Sequence, residues 1–278
     1  AQAFGARDDD GVKVSLGQAL VVSLVIALVL IALQWPIATL SMQLLGPEAG
    51  IAGFAEQYFS IRIWSAPATL ANYALIGWFL GLQNARIPLI IVLAVNITNI
   101  VHDLFSVLGL GMTVDGVAAA SVIAEFTGLF VGGMYALKYL RGHGGQMPRS
   151  RLTSLNEYAA FFAVNAHLLV RTMALMFTFG FITAAGARLG GLVLAANAVL
   201  INMLHLMSFA LDGFAHAAEA LVGKAVGAKD RQALKRSVTL ALRWSLYVSV
   251  LFSVFFLVAG KPLIRLLTDL PDVIDVAD

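Results

Sequence analysis

From Val14 to Pro47 the chain carries no formal charge, and neither do Ile63 to Ala85, Leu189 to Leu211 or Trp244 to Gly260. Three further stretches hold one charge apiece: Asp103 within Ile87 to Gly111, Glu125 within Gly116 to Ala136, and Arg171 within Tyr158 to Ala187. Each run is close to the ~20 apolar residues that cross a hydrocarbon layer about 30 Å thick as a helix. Backbone polar groups in lipid must be satisfied internally, so only helices or closed barrels cross it, and these runs lack the alternation of barrel strands. The pattern predicts an all-α, polytopic membrane bundle. Its seven spans fall near 15–35, 61–82, 87–109, 114–139, 158–186, 192–221 and 240–262.

Composition narrows the classes further. The chain is 60% apolar and 12% charged, where a soluble domain carries roughly 25% charged residues. That excludes an ordinary soluble globule, a disordered chain and a nucleic-acid-binding domain. The absence of cysteine excludes disulfide frameworks, thiolate nucleophiles and cysteine-based metal sites. The first apolar run is too long for the core of a secretory signal.

The connections alternate between basic and neutral. Arg7, Lys13, Arg86, Lys138, Arg141, Arg149, Arg151, Lys224, Lys229, Arg231, Lys235 and Arg236 fall on one side, against Arg188, Lys261 and Arg265 on the other. By the positive-inside rule the first side is cytoplasmic, so the chain starts inside and ends outside. Residues 1–140 then form an N-lobe part with four spans, 141–157 a cytoplasmic linker, and 158–278 a C-lobe part with three. Gly77-x-x-x-Gly81 and Gly128-x-x-x-Gly132 are patterns that let helices approach closely, and are read as packing sites.

The opening QAFGARD (Gln2 to Asp8) returns as KAVGAKD (Lys224 to Asp230) at an offset of 222 residues. Ala3, Gly5, Ala6 and Asp8 recur identically. A second echo matches Gly46-Pro47-Glu48 to Leu270-Pro271-Asp272. An even number of spans separates the first pair, so the two repeats are parallel and their pseudo-twofold axis runs along the membrane normal. The incomplete symmetry implies roughly two spans before Ala1 and roughly three after Asp278.

The ionisable groups within the spans need a reason to be there, since each costs at least ~2.5–3.5 kcal/mol at the bilayer centre. Asn96, Asn99 and Asp103 lie within about 60° of one helix face. They are read as a polar cavity wall, with Asp103 binding a proton or sodium ion; interhelical hydrogen bonding is the plainer alternative for the asparagines. Glu125 is either a proton carrier or a buried acid that donates a hydrogen bond. Asp115 is a cap. Asn72 and Tyr73 either face the cavity or pack in the core. Asn202, His205, Asp212, His216 and Glu219 share an arc of about 100°. Arg171 and Asp212 stand at comparable depth and are expected to form an ion pair, structural or switching.

Two segments carry a family resemblance. SAPATLANYALIGWFLGLQNARIPLIIVLAVNITNIVHDLFSVLGLGMTVDGVAAASVIAEF resembles the fourth to sixth helices of the multidrug and toxic compound extrusion (MATE) family, in its DinF branch. ITAAGARLGGLVLAANAVL, continuing to ALDGFAHAAEALVGKAVGAKD, is similar to the seventh and eighth. The resemblance implies twelve helices in two lobes, of which these are about helices three to nine, and export of cationic or amphipathic compounds in exchange for H+ or Na+. The family's best-known proton-binding aspartate lies on the first helix, which has no counterpart among these residues. The fragment alone is therefore not expected to be a competent antiporter.

The first expectation is thus a secondary exporter in a bacterial cytoplasmic membrane. It has no cofactor beyond its coupling ion, no nucleic-acid partner, and is monomeric. The ion-coupling candidates are Asp103, Glu125 and Asp212. The substrate-cavity candidates are Tyr73, Asn96, Asn99, Arg171, Asn202, His205 and Glu219. No P-loop occurs to bind a nucleotide, which points to an ion gradient. Two alternatives stand beside it. Asp212, His216 and Glu219 have a spacing that suits metal ligands of an intramembrane enzyme. A lipid-linked oligosaccharide flippase has a related architecture, but Arg171 alone in mid-membrane is a poor match for pyrophosphate.

Overall fold

The computed structural model describes residues 1–45 and 49–277. The second echo, at Gly46-Pro47-Glu48, lies outside them. No β-strand occurs among the described residues. The helices in chain order are α1 (Gln2–Gly5), α2 (Asp9–Ala32), α3 (Gln34–Leu45), α4 (Ala49–Arg62), α5 (Ala66–Gly81), α6 (Arg86–Leu104), α7 (Val114–Gly142), α8 (Arg149–Leu152), α9 (Leu155–Leu189), α10 (Gly191–Gly227), α11 (Arg231–Leu267) and α12 (Pro271–Ala277). The all-helical expectation holds, and α2, α6 with its extension, α7, α9, α10 and α11 supply six stretches long and apolar enough to cross a membrane.

The span expected at 61–82 differs. A 3-10 turn over Ile63–Ser65 separates α4 from α5, whose 16 residues are short for a span by themselves. Pro67 stands in the first turn of α5, where its missing N–H is tolerated. Helix α6 changes character at its far end, where Phe105–Gly109 form a π turn.

The described residues form two compact units. One comprises Ala1–Thr153 with Gly223–Lys229, the other Ser154–Val222 with Asp230–Asp278. Both copies of the repeated motif end a helix and start the next in the same way. Arg7 and Lys229 take the left-handed conformation, with φ of 57° and 55°. Asp8 accepts from the Gly11 amide, and Asp230 from those of Gln232 and Ala233. These carboxylates satisfy orphan N–H groups at the starts of α2 and α11.

In the first unit, Val12 and Leu16 of α2 meet Leu75 and Phe79 of α5, Ile91 of α6 and Ala136 of α7. Lipid tails are as apolar as these side chains, so close packing holds such helices together more than hydrophobic burial does. Gly132 provides it: a Cβ there would lie 2.9 Å from Ile91 Cδ1 and 3.0 Å from Leu75 Cδ1. Gly128 faces Val95 and Asn72 in the same way. The first glycine pair behaves differently, since Gly77 faces open space and Gly81 meets the backbone nitrogen of Ala1. Trp78 Nε1 donates to the Val12 carbonyl at 2.9 Å. Lys13 Nζ donates to the carbonyls of Leu140, His143 and Gly145 at 2.9–3.1 Å, closing the C-terminal end of α7 with a cation. Around both units the outward surface is apolar: Leu257 is 86% exposed and Phe177 76%, as contact with acyl chains requires.

Candidate functional site

Helices α5, α6 and α7 enclose a cleft of about 120 Å³ in the first unit. Thr69, Asn72, Tyr73, Val95, Asn96 and Glu125 are among its lining residues. Four of these were singled out from sequence, and the fold brings them together. Tyr73 is 68% exposed, which overturns the alternative of a packed core aromatic.

Glu125 sits in a network that sequence reasoning did not find. Arg62, the last residue of α4, donates from Nη2 to Glu125 Oε1 at 3.1 Å. Asn72 Nδ2 donates to Glu125 Oε2 at 3.0 Å and to the Glu125 main-chain carbonyl at 2.9 Å. Arg62 also donates to Ser65 Oγ. The Glu125 side chain is 15% exposed and that of Arg62 29%. Both oxygens of the Glu125 carboxyl group are thus engaged, one by Arg62 and one by Asn72. Its pairing removes an unpaired charge from the unit's interior.

The remaining polar residues of α6 lie further along. Asn96 Nδ2 turns back to the Val92 carbonyl at 2.9 Å. Asn99 Nδ2 crosses to Ser121 Oγ on α7 at 3.3 Å, an interhelical bond of the kind expected as glue. His102 bonds the Thr98 carbonyl at 2.8 Å, so it is a local partner of its own helix. Asp103 is half-buried, and its Oδ1 is buried with no hydrogen-bond partner. Asp115 accepts from the Thr113 amide at 3.1 Å at the start of α7, as a capping group does.

In the second unit the polar stripe of α10 does not converge. Phe179 packs its ring edge on His205, 5.5 Å between centroids, and Gly186 meets Asn197. These contacts bring α9 and α10 together beside the Gly190 turn. Arg171 and Asp212 nonetheless form no ion pair among the described residues, and both are exposed. The described contacts between the two helices, Phe179 with His205 and Gly186 with Asn197, lie toward the Gly190 turn. Asn202 is exposed too. His216 Nδ1 and Glu219 Oε2 are 3.6 Å apart on an exposed face. No three His, Asp or Glu residues group as metal ligands among the described residues, so Asp212, His216 and Glu219 do not assemble the metal site of the enzyme alternative. The side chain of His167 lies outside the described residues. A larger groove, about 550 Å³, runs between α10 and α11, lined by Met203, Met207, Phe256 and Ile264.

Comparison with known proteins supplies the context. The family model described as MatE matches residues 1–105 and 168–278, well over half of the chain and in two segments. The chain is 40% identical over 280 residues to DNA damage-inducible protein F of Escherichia coli (strain K12), covering 100% of this chain and 61% of that protein. It is 25% identical over 216 residues to multidrug and toxin extrusion protein 1 of Homo sapiens, covering 76% of this chain and 37% of that one. Among solved structures, a MATE protein in its straight conformation superposes with a TM-score of 0.88 at 19% identity, over 99% of this chain and 62% of that one. The Vibrio cholerae MATE transporter VcmN in its bent form gives 0.80 at 20% identity, over 99% and 62%. These likenesses fix the fold, and the chain spans a little under two thirds of its bacterial relative.

Proposed function

The chain belongs to the MatE family, whose members are membrane transporters and not enzymes, and on that premise we propose that it forms the central part of a secondary exporter. The cargo is an amphipathic or cationic small molecule, and the energy source is exchange for H+ or Na+. Residues 1–140 belong to one lobe and 158–278 to the other, joined by a cytoplasmic linker. The membrane is the bacterial cytoplasmic membrane, with Ala1 on its inner side. Support for that side comes from the first unit, where Lys13 caps the end of α7 and Lys224 lies beside Gln83, so that basic residues far apart in sequence share one end.

One observation carries the mechanism: Asp103 Oδ1 is buried without a partner. A carboxylate oxygen in that state is strongly destabilised unless it takes a proton or a cation. Asp103 is therefore the coupling group in this reading. Glu125, tied to Arg62 and Asn72, serves as a counter-charge in the cleft. Asp212, exposed and unpaired with Arg171, has no comparable claim.

The experiment is transport by the complete protein in proteoliposomes, with an imposed pH or sodium gradient and a fluorescent organic cation as cargo. Asp103→Asn should abolish gradient-driven movement while leaving the protein folded and able to bind cargo. Gradient-driven export at the parent rate in Asp103→Asn would refute the coupling role.

A further inference from the structure

The outer face of α7 grades from apolar to basic. Ile123, Phe126, Phe130, Met134 and Leu137 are all exposed, Phe130 to 67%. At 100° per residue they share an arc of about 80° on one side of the helix. Gly128 and Gly132 lie on the opposite side, where they meet α5 and α6. From Ile123 to Leu137 the apolar stripe runs about 21 Å by helix rise. One leaflet contributes about 15 Å of hydrocarbon, so the stripe is long enough to follow an acyl chain.

The stripe ends on two cations. Lys138 and Arg141, with Met134, Leu137 and Gly142, line a groove of about 460 Å³. Both are exposed, and neither enters a hydrogen bond or ion pair among the described residues. Lys13, at the same end of α7, spends its donors on three carbonyls; the groove pair has no such outlet. Three residues apart, the two charges are neighbours on the helix and repel each other. No acidic residue follows Glu125 in α7, and Asp10 nearby is committed to the Gln146 amide. What the groove lacks is an anion. It also has room for one, since a Cβ on Gly133 or Gly142 would meet nothing within 4 Å.

We propose that this face of α7 binds an anionic phospholipid of the cytoplasmic leaflet. The lipid's phosphodiester lies between Lys138 and Arg141, and the planar guanidinium takes two phosphate oxygens at once. One acyl chain follows Leu137, Met134 and Phe130 toward the middle of the bilayer. A zwitterionic head group brings its own ammonium to a site that is already doubly positive, so a head group of net negative charge is preferred. From the exporter reading the proposal takes only the side of the membrane on which α7 ends, and it is tested by lipid binding alone.

The complete protein, purified in detergent, is irradiated with a phosphatidylglycerol that carries a photoactivatable acyl chain, and the attached peptides are mapped by mass spectrometry. Attachment is expected on α7 between Phe126 and Leu137. Unlabelled phosphatidylglycerol should compete for it on the order of tenfold better than phosphatidylethanolamine. Glycerol phosphate, the same anion without chains, should compete poorly. Lys138→Gln combined with Arg141→Gln should reduce attachment to α7 on the order of tenfold. Lys235→Gln combined with Arg236→Gln removes the same charge from α11 and should leave it at the parent level. No attachment to α7 in the parent, as when a protein segment covers this face, overturns the proposal. So does equal competition by phosphatidylethanolamine, competition by glycerol phosphate as strong as by the lipid, or unchanged attachment in the Lys138 and Arg141 variant. Should that variant fail to fold, attachment and competition in the parent decide the matter alone. Lipid attachment in a protein that exports nothing would sink the transport reading and leave this one standing. Normal export with no attachment to α7 would do the reverse.

Discussion

Gly5 and Gly227 occupy equivalent positions in a reciprocal crossing of the two repeated motifs. A Cβ on Gly5 would strike the carbonyl oxygen of Lys224, and one on Gly227 would strike that of Gln2. The offset that relates the glycines also relates Gln2 to Lys224, so each copy presses its glycine against the first residue of the other. Such a contact is self-complementary, as at a twofold axis. Lys224 adds a hydrogen bond from Nζ to Gln83 Oε1 at 3.0 Å and lies 5.5 Å from the centre of the Phe4 ring.

Because backbone, not a movable side chain, faces each glycine, alanine at either position forces the helix ends apart. Gly5→Ala and Gly227→Ala should each destabilise the complete protein by about 1–3 kcal/mol. Heating in detergent followed by size-exclusion chromatography should show both melting earlier, by similar amounts. A parent-like melting temperature for either would mean that the crossing is looser than it stands here.

The two glycine pairs within the spans separate in the same assay. Gly132→Leu would drive a side chain into Ile91 and Leu75, whereas Gly77 opens onto free space in this unit. Overpacking costs typically about 1–3 kcal/mol, so Gly132→Leu should be poorly expressed or melt early and Gly77→Leu should be milder. Equal loss in the two would contradict the packing described for α7.

Asn72 holds Glu125 by both its carboxylate and its main chain. Asn72→Leu removes both bonds and should destabilise by about 1–3 kcal/mol, with Asn72→Asp no better, since it places a second carboxylate beside the first. A stable, fully active Asn72→Asp would show that the network is dispensable.

Arg171 and Asp212 should behave as independent sites. With no ion pair between them, Arg171→Leu and Asp212→Leu should add within about 0.3–0.5 kcal/mol in a double-mutant cycle. A coupling above about 1 kcal/mol would restore the pair that their register suggests.

Much of this architecture is legible in the residues. Uncharged runs dictate membrane helices because lipid leaves the backbone no other partner, and the motif ending in Asp8 and Asp230 reveals itself because a left-handed residue followed by a capping carboxylate needs particular side chains. The break at Ile63–Ser65 was not legible, since Trp64 and Ser65 continue an uncharged run without a sequence sign of tighter winding. The Arg62–Glu125 pair was equally hidden. Its members lie 63 residues apart, and helices that are apolar all round carry no periodic stripe to say which faces meet. The signal available was that Glu125 is the one charge between Gly116 and Ala136 and therefore needs a partner on another element. The same logic applied to Arg171 and Asp212 pointed to an ion pair that the described residues do not form, because comparable depth along two helices does not fix which of their faces meet.

The central claim is that Asn72, Tyr73, Asn96 and Glu125 line a wet, cation-receiving cleft and do not face lipid. These residues include no cysteine, so single cysteines can be placed at will. The decisive measurement is labelling of Asn96→Cys in membranes by a positively charged, membrane-impermeant thiol reagent, with Leu93→Cys one turn away as the reference. The account predicts rapid labelling at 96 that an organic ammonium ion slows, and little at 93. Labelling at 96 no faster than at 93, unaffected by the ammonium ion, would contradict it.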